Sequence, residues 1–194
     1  MEDVYTLVLD LDETLIHFEM DDDVDPAVEE PGYYLIRPGA IKFLNELSAY
    51  YELVVFTAAM PDYADWILDN VDRHKKISHR LYRQHSTPFD DYAMKDLTKL
   101  GRDMSKTMII DNLAENFNQL TPLNGIWVES WYDDMDDIVL QLLVPFLVDI
   151  VKSKVDVRHI LTDPIKEELI YKRLDEGKAL PSIKEILSKY GKPK

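Results

Sequence analysis

The chain contains no cysteine. That excludes a disulfide scaffold and a thiolate zinc site, and it fits a reducing compartment, so the expected location is nuclear or cytoplasmic. No apolar run reaches the ~18–20 residues that a membrane-spanning helix needs. The longest candidate, Ile138 to Val151, carries Gln141, Pro145 and Asp149 and reads as a packed helix. The N-terminus lacks a basic segment followed by an apolar one, so no signal peptide is expected. Positive charge is scarce: 22 Lys and Arg stand against 37 Asp and Glu, a net charge of −15. Phosphate backbones are held by cations that displace counterions, so direct nucleic-acid binding is not expected.

The charge is also uneven. No lysine or arginine precedes Arg37, whereas Glu19, Asp21, Asp22, Asp23, Asp25, Glu29 and Glu30 gather in one acidic loop. Residues 152–194 hold eleven Lys and Arg against seven Asp and Glu. With 194 residues, 46% of them hydrophobic, the chain can bury a core. The expected organisation is a main domain over 1–151 and a helical C-terminal extension over 152–194. Pro164, Gly177 and Pro181 break that extension into one or two helices.

Short apolar runs at 4–9, 52–56, 107–110 and 125–129 read as core strands, with shorter ones at 33–36 and 79–83. Between them, Pro38 opens a helix whose apolar stripe is Ile41, Phe43, Leu44 and Leu47. A second helix covers 61–71, and residues 95–100 have helical character. Strands alternating with helices predict an α/β fold with a Rossmann-like parallel sheet flanked by helices. Ligands sit at the carboxyl ends of such strands, where Asp10, Thr57 and Asp111 fall.

Asp10-Leu-Asp12-Glu-Thr14-Leu holds the chemistry. On a continuing strand two carboxylates two residues apart face the same way. Their repulsion is relieved by a cation or a shared proton. One aspartate can then act as nucleophile and the other as general acid, with Mg²⁺ neutralising charge. Alone, each element has a plainer reading: a solvated strand end, a cap, a turn.

Four motifs in order say more than one. The Asp10 motif, Leu53-Val-Val-Phe-Thr57, Tyr92-Ala-Met-Lys95-Asp with Leu-Gly-Arg102-Asp, and Met108-Ile-Ile-Asp111-Asn112 together resemble the haloacid-dehalogenase (HAD) superfamily. More narrowly, DLDETL resembles its branch of RNA polymerase II C-terminal-domain phosphatases, the small CTD phosphatase or NLI-interacting-factor-like proteins. Tyr63-Ala-Asp65, Leu81-Tyr-Arg83 and Ser130-Trp131-Tyr132-Asp133 also look like this branch. The likeness spans roughly residues 4–150.

The resemblance implies an HAD fold and a Mg²⁺-dependent protein serine/threonine phosphatase working through an aspartyl-phosphate. Its substrate would be a phosphorylated protein or peptide, with the RNA polymerase II C-terminal domain as one candidate. It implies that Asp10 is the nucleophile, Asp12 the general acid and base, and Thr57 and Lys95 the phosphate holders. It implies Mg²⁺ on the Asp10 carboxylate, the Asp12 carbonyl and the Asn112 side chain, with Asp111 at or just behind this shell. Thr14 and Arg83 are substrate-side candidates, Thr14 also as a brace of its turn. Arg102 is a candidate for a structural ion pair.

Only 42 residues separate Thr14 from Thr57, and 37 separate Thr57 from Lys95. Core elements need most of each interval, so no large cap domain is expected. An open site favours a phosphorylated side chain on a protein over a small metabolite. The acidic loop has two readings: a solvated loop with no role, or an entrance border that favours basic residues beside the phosphosite. Two other functions stay open at this point. One is a non-catalytic binding module resembling the mitochondrial presequence-translocase receptor, which Tyr50–Phe56 and Asp156–Leu161 resemble somewhat. The other is a small-molecule HAD phosphatase.

Overall fold

The computed structural model describes residues 4–20, 32–89 and 92–191. Apart from Glu19, the acidic residues of the loop over 19–30 lie outside the described residues.

The chain opens with strand β1 (Tyr5–Leu9), all five residues buried, and continues through β2 (Ile16–Met20) and β3 (Gly32–Ile36) into α1 (Ala40–Leu47). Then follow β4 (Tyr51–Phe56), α2 (Pro61–Val71) and β5 (Ile77–Leu81). A short hairpin, β6 (Thr87–Phe89) with β7 (Tyr92–Met94), leads to β8 (Thr107–Asp111), α3 (Glu115–Asn118) and β9 (Gly125–Trp127). The long helix α4 (Val139–Ser153) precedes the tail, which holds α5 (Val157–Ile160), α6 (Asp163–Ile165), α7 (Lys172–Asp175) and α8 (Ile183–Tyr190).

Five strands form one parallel sheet in the order β5-β4-β1-β8-β9. A strand turns alternate residues to opposite faces, and the two cores follow that rule. Leu7, Leu9, Leu53, Val55, Met108 and Ile110 join the larger core under the long helices. Val8, Val54, Phe56 and Ile109 point to the other face, where Leu97 and Phe117 cover them. Burial on both faces explains why these strands read as unbroken apolar runs. Between Thr14 and Thr57, and again between Thr57 and Lys95, the described residues hold only these core elements, a 3₁₀ turn at Arg83–His85 and two small antiparallel hairpins. No large cap domain occurs among them.

Several element boundaries differ from the sequence reading. Helix α1 starts at Ala40, because Pro38 and Gly39 form a turn in which Ala40 N–H donates to Arg37 O at 3.0 Å. Gly39 has φ +83°, a left-handed conformation that glycine tolerates best. The buried stripe is Ala40, Phe43, Leu44 and Leu47, and Ile41 faces solvent. Helix α2 matches its expected span, with Pro61 in its first turn. The strand expected over 79–83 lies at Ile77–Leu81, and the helical stretch expected from Lys95 is a short 3₁₀ turn, Leu97–Leu100. At β9, Gly125 lies against the Phe117 ring, where a Cβ would come within 1.9 Å of it.

The tail is more fragmented than one or two helices. Pro164 falls at the start of α6 and so opens that helix, and the chain makes one wide π turn over Lys166–Tyr171 before α7. Val157, Ile160, Leu161, Ile165, Ile170, Ile183 and Ile186 bury in the same core as the sheet. Helix α8 begins with a reciprocal cap between Ser182 and Glu185, and Asp149 of α4 accepts the Ile183 N–H at 2.7 Å. No described helix is long and apolar enough to cross a membrane.

Candidate active site

The strand does not continue through the aspartate pair. Strand β1 ends at Leu9, Asp10 N–H donates to Ile110 O at 3.0 Å, and a tight turn follows. Leu15 and Ile16 N–H both donate to Leu11 O at 2.9 and 3.2 Å, and Glu13 takes φ +54°. Asp12 is therefore aimed by the turn and its side-chain partners. Thr57 Oγ1 donates to Asp12 Oδ2 at 3.2 Å, and Tyr63 OH donates to Asp12 Oδ1 at 2.7 Å. Thr57 also accepts the Ala59 N–H at 3.0 Å, which tightens the turn after β4.

Lys95 is the cationic centre of the site and is 1% exposed. Its Nζ donates to Asp10 Oδ1 and, at 2.7 Å, to Asp111 Oδ2. Leu113 N–H and Asn116 Nδ2 donate to Asp111 Oδ1 at 2.9 and 3.0 Å, and Asn116 also reaches Oδ2. Both oxygens of Asp111 are thus taken up behind Asp10. Burial works against the Lys95 charge, but Asp10 and Asp111 outweigh it and raise its pKa. Burial also pushes Asp10 up to about 7, with Lys95 pulling it down and the nearby Asp111 charge adding to the rise. The Tyr63 hydroxyl is raised by its own burial and by its bond to Asp12.

Thr14 is fully buried and bridges the two sides of the site. Its Oγ1 lies 3.2 Å from Asp10 Oδ2 and 3.4 Å from Asn112 Oδ1. Asn112 Nδ2 donates to Ser130 Oγ at 2.9 Å, which turns the amide oxygen toward Asp10. Among the described residues no three carboxylate or imidazole side chains converge as a metal cluster. The available donors are mixed instead: one carboxylate oxygen, one amide oxygen and the nearby main chain. Hard oxygen donors of this kind, few enough to leave room for water, fit Mg²⁺.

The structure thus gathers Asp10, Asp12, Thr14, Thr57, Lys95, Asp111 and Asn112 at one rim of the sheet. Arg83 stays outside the buried cluster and exposed. Its Nε donates to Ala58 O at 2.6 Å and its N–H to Ala59 O at 3.0 Å, which ties it to the loop after Thr57. Arg102 is remote from the cluster and pairs with Glu52 through two bonds of 2.7 and 2.8 Å. Trp131 is buried, and Tyr132 is exposed with its ring edge-on to His17.

Sequence reasoning assigned no role to Asn116, to the Tyr63 hydroxyl, to Ser130 or to the Arg37–Asp137 pair. Arg37 is 1% exposed, grips Asp137 at 3.0 and 2.8 Å, and reaches Thr14 O at 3.3 Å and Glu129 O at 3.4 Å. It fastens the aspartate turn to the segment carrying Ser130. One signal was available, since Arg37 is the first lysine or arginine of the chain and directly precedes Pro38.

Comparison with known proteins agrees with this arrangement. The NLI interacting factor-like phosphatase family model matches residues 5–158. A Dictyostelium discoideum protein named "Probable C-terminal domain small phosphatase" is 40% identical over 167 residues, covering 81% of this chain and 54% of that protein. CTD small phosphatase-like protein 3 of Caenorhabditis elegans is 40% identical over 167 residues, covering 81% of this chain and 58% of its own length. The chain therefore spans little more than half the length of these two relatives. The solved structure of the fission yeast RNA polymerase II CTD phosphatase Fcp1 with beryllium fluoride shares the fold. Its TM-score is 0.56 at 22% identity, covering 97% of this chain and 64% of that one. With the ordered motifs converging at one rim and the family match running through the whole sheet, the chain belongs to the NLI interacting factor-like phosphatase family.

Proposed function

We propose that this chain is the catalytic unit of a Mg²⁺-dependent phosphoprotein phosphatase acting on phosphoserine and phosphothreonine. The observation that carries the reading is the division of labour between two carboxylates. Asp10 is buried against an ammonium group, whereas Asp12 is held by two hydroxyl donors on its other side. Distinct environments suit distinct roles.

In the proposed reaction an Asp10 oxygen forms a bond to phosphorus while the bond to the serine or threonine oxygen breaks. Asp12 gives its proton to the departing alkoxide. The resulting aspartyl-phosphate is then attacked at phosphorus by water, whose proton returns to Asp12, releasing phosphate and free Asp10. Thr57 and Lys95 hold phosphoryl oxygens and keep the group in line with Asp10. Phosphoryl transfer depends mainly on such positioning and charge stabilisation. Asp10, the Asp12 carbonyl and Asn112 would hold Mg²⁺, with Asp111 behind them. When bound, the ion supplies charge neutralisation for the phosphoryl oxygens and for the aspartates.

The lack of a large cap domain among the described residues, with Arg83 and Tyr132 exposed, supports a protein-borne phosphate over an enclosed metabolite. The relatives' names make the RNA polymerase II C-terminal domain the first substrate to try, and the proposed location is nuclear or cytoplasmic. The test is hydrolysis of phosphoserine and phosphothreonine peptides beside free sugar and nucleoside phosphates. Release from peptides alone supports the proposal; release from free metabolites alone contradicts it.

A further inference from the structure

On the flank of the sheet away from β5, a cavity of about 500 Å³ opens between edge strand β9 and the π turn and α7 of the tail. Its walls are aromatic and apolar. Trp127 and Tyr171 meet edge to face at 5.8 Å between ring centroids, and Leu174 lies beside them. Three carboxylates, Glu129, Glu167 and Asp175, line it as well, against the single cation Lys172.

The charge here runs against its surroundings. The tail is the basic part of the chain, and most of its other carboxylates find a cation. Arg158 pairs with Asp156, Lys166 with Asp163, Lys178 with Glu176 and Lys189 with Glu168. The three cavity carboxylates have no ion pair or side-chain hydrogen bond among the described residues. An aromatic cavity in which three carboxylates face one lysine is complementary to a further cation with a flat face. Guanidinium fits better than ammonium, because it stacks on rings and bonds carboxylates two at a time. The cavity also touches the site's frame. Trp127 Nε1 donates to Asn112 O at 2.7 Å, so its wall stands one hydrogen bond from a proposed Mg²⁺ ligand.

We propose that this cavity docks an arginine side chain on a segment of the phosphoprotein substrate distinct from the phosphorylated residue. The proposal rests on the phosphatase reading only in naming that partner a substrate. Arginine would seat against Trp127 and Tyr171 with its guanidinium between Glu129, Glu167 and Asp175. The site would then select substrates by a feature that phosphate chemistry cannot read.

The test is direct binding of a labelled, unphosphorylated peptide carrying two arginines, followed by fluorescence anisotropy at about 0.15 M salt. The proteins compared are the wild type, the triple variant Glu129→Gln, Glu167→Gln, Asp175→Asn, and a charge-matched control at exposed carboxylates outside the cavity, Glu46→Gln, Asp69→Asn, Asp103→Asn. Affinity should fall about tenfold or more in the first triple variant and stay within about twofold in the control. Replacing both arginines by lysine should weaken binding to the wild type. Equal loss in the two triple variants, or equal binding of the lysine peptide, would reduce the effect to net charge and overturn the proposal. Self-association lost in the cavity variant, with no peptide binding, would assign the cavity to a second copy and overturn it too. On phosphopeptides bearing a distant arginine, KM should rise about tenfold in the cavity variant, while aryl phosphate hydrolysis stays unchanged. If the wild type hydrolyses neither substrate, the phosphatase reading fails and the peptide-binding result still decides this one.

Discussion

At Lys95 a buried ammonium faces the carboxylates of Asp10 and Asp111. Removing one partner of a buried charge cluster leaves the others unpaired. Lys95→Met should therefore lower stability by about 3 kcal/mol in urea unfolding at pH 7 and abolish phosphate release. A soluble variant with wild-type kcat would show that Lys95 does not hold the phosphoryl group. Tyr63 acts through Asp12 and is a positioning residue. In Tyr63→Phe the loss of the 2.7 Å bond should lower kcat about tenfold on phosphopeptides, with Thr57 still in place. Unchanged kcat would mean that Thr57 alone fixes Asp12. At this scale the sequence was most legible for residues that end strands, Asp10, Thr57 and Asp111. It was least legible for partners supplied by other elements. Nothing local marks Asn116 as the group that saturates Asp111, because that role exists only once α3 is folded against β8.

At the scale of elements, buried strands were readable because burial on both faces writes a continuous apolar run. The helix start at Ala40 was not, because Pro38 looks like a first-turn proline and only the left-handed Gly39 shows that a turn comes first. Strand β3 was read at 33–36, but its partner β2 and the hairpin β6-β7 escaped for the opposite reason: half-exposed, short strands write no clear period. The pair joining Glu52 of β4 to Arg102 carries a pH signature. Arg102 first, against the penalty of burial, holds the Glu52 carboxyl down at about 2 from an ordinary 4.5. A depressed carboxylate contributes stability above its unfolded pKa and loses it as the pH falls through the folded value. The contribution should be complete above pH 4.5 and fade toward pH 2. Screening of the partly exposed Arg102 keeps it to about 1 kcal/mol. Urea unfolding of the wild type and Arg102→Ala should differ by that amount at pH 7, with the gap closing toward pH 2. A gap that stays constant would remove Glu52 as its cause.

At the scale of the whole molecule, the tail and the sheet share one core. Composition showed helix-forming residues after 152, but whether they pack depends on which face each short helix presents, and that face is set by contacts with α4 and the sheet. Deleting residues 157–194 uncovers the surface that Val157, Ile160, Leu161, Ile165, Ile170, Ile183 and Ile186 bury. The shortened chain should lose its cooperative thermal transition or aggregate. A sharp transition near that of the full chain would make the tail an independent appendage.

The central claim is that Asp10 takes the phosphoryl group in a Mg²⁺-dependent hydrolysis. The most direct measurement is phosphate release from phosphoserine and phosphothreonine peptides by the wild type and Asp10→Asn, each with Mg²⁺ and with chelator. The account predicts release by the wild type with Mg²⁺ and none in the other three cases. Release by Asp10→Asn, or release that survives the chelator, would contradict it.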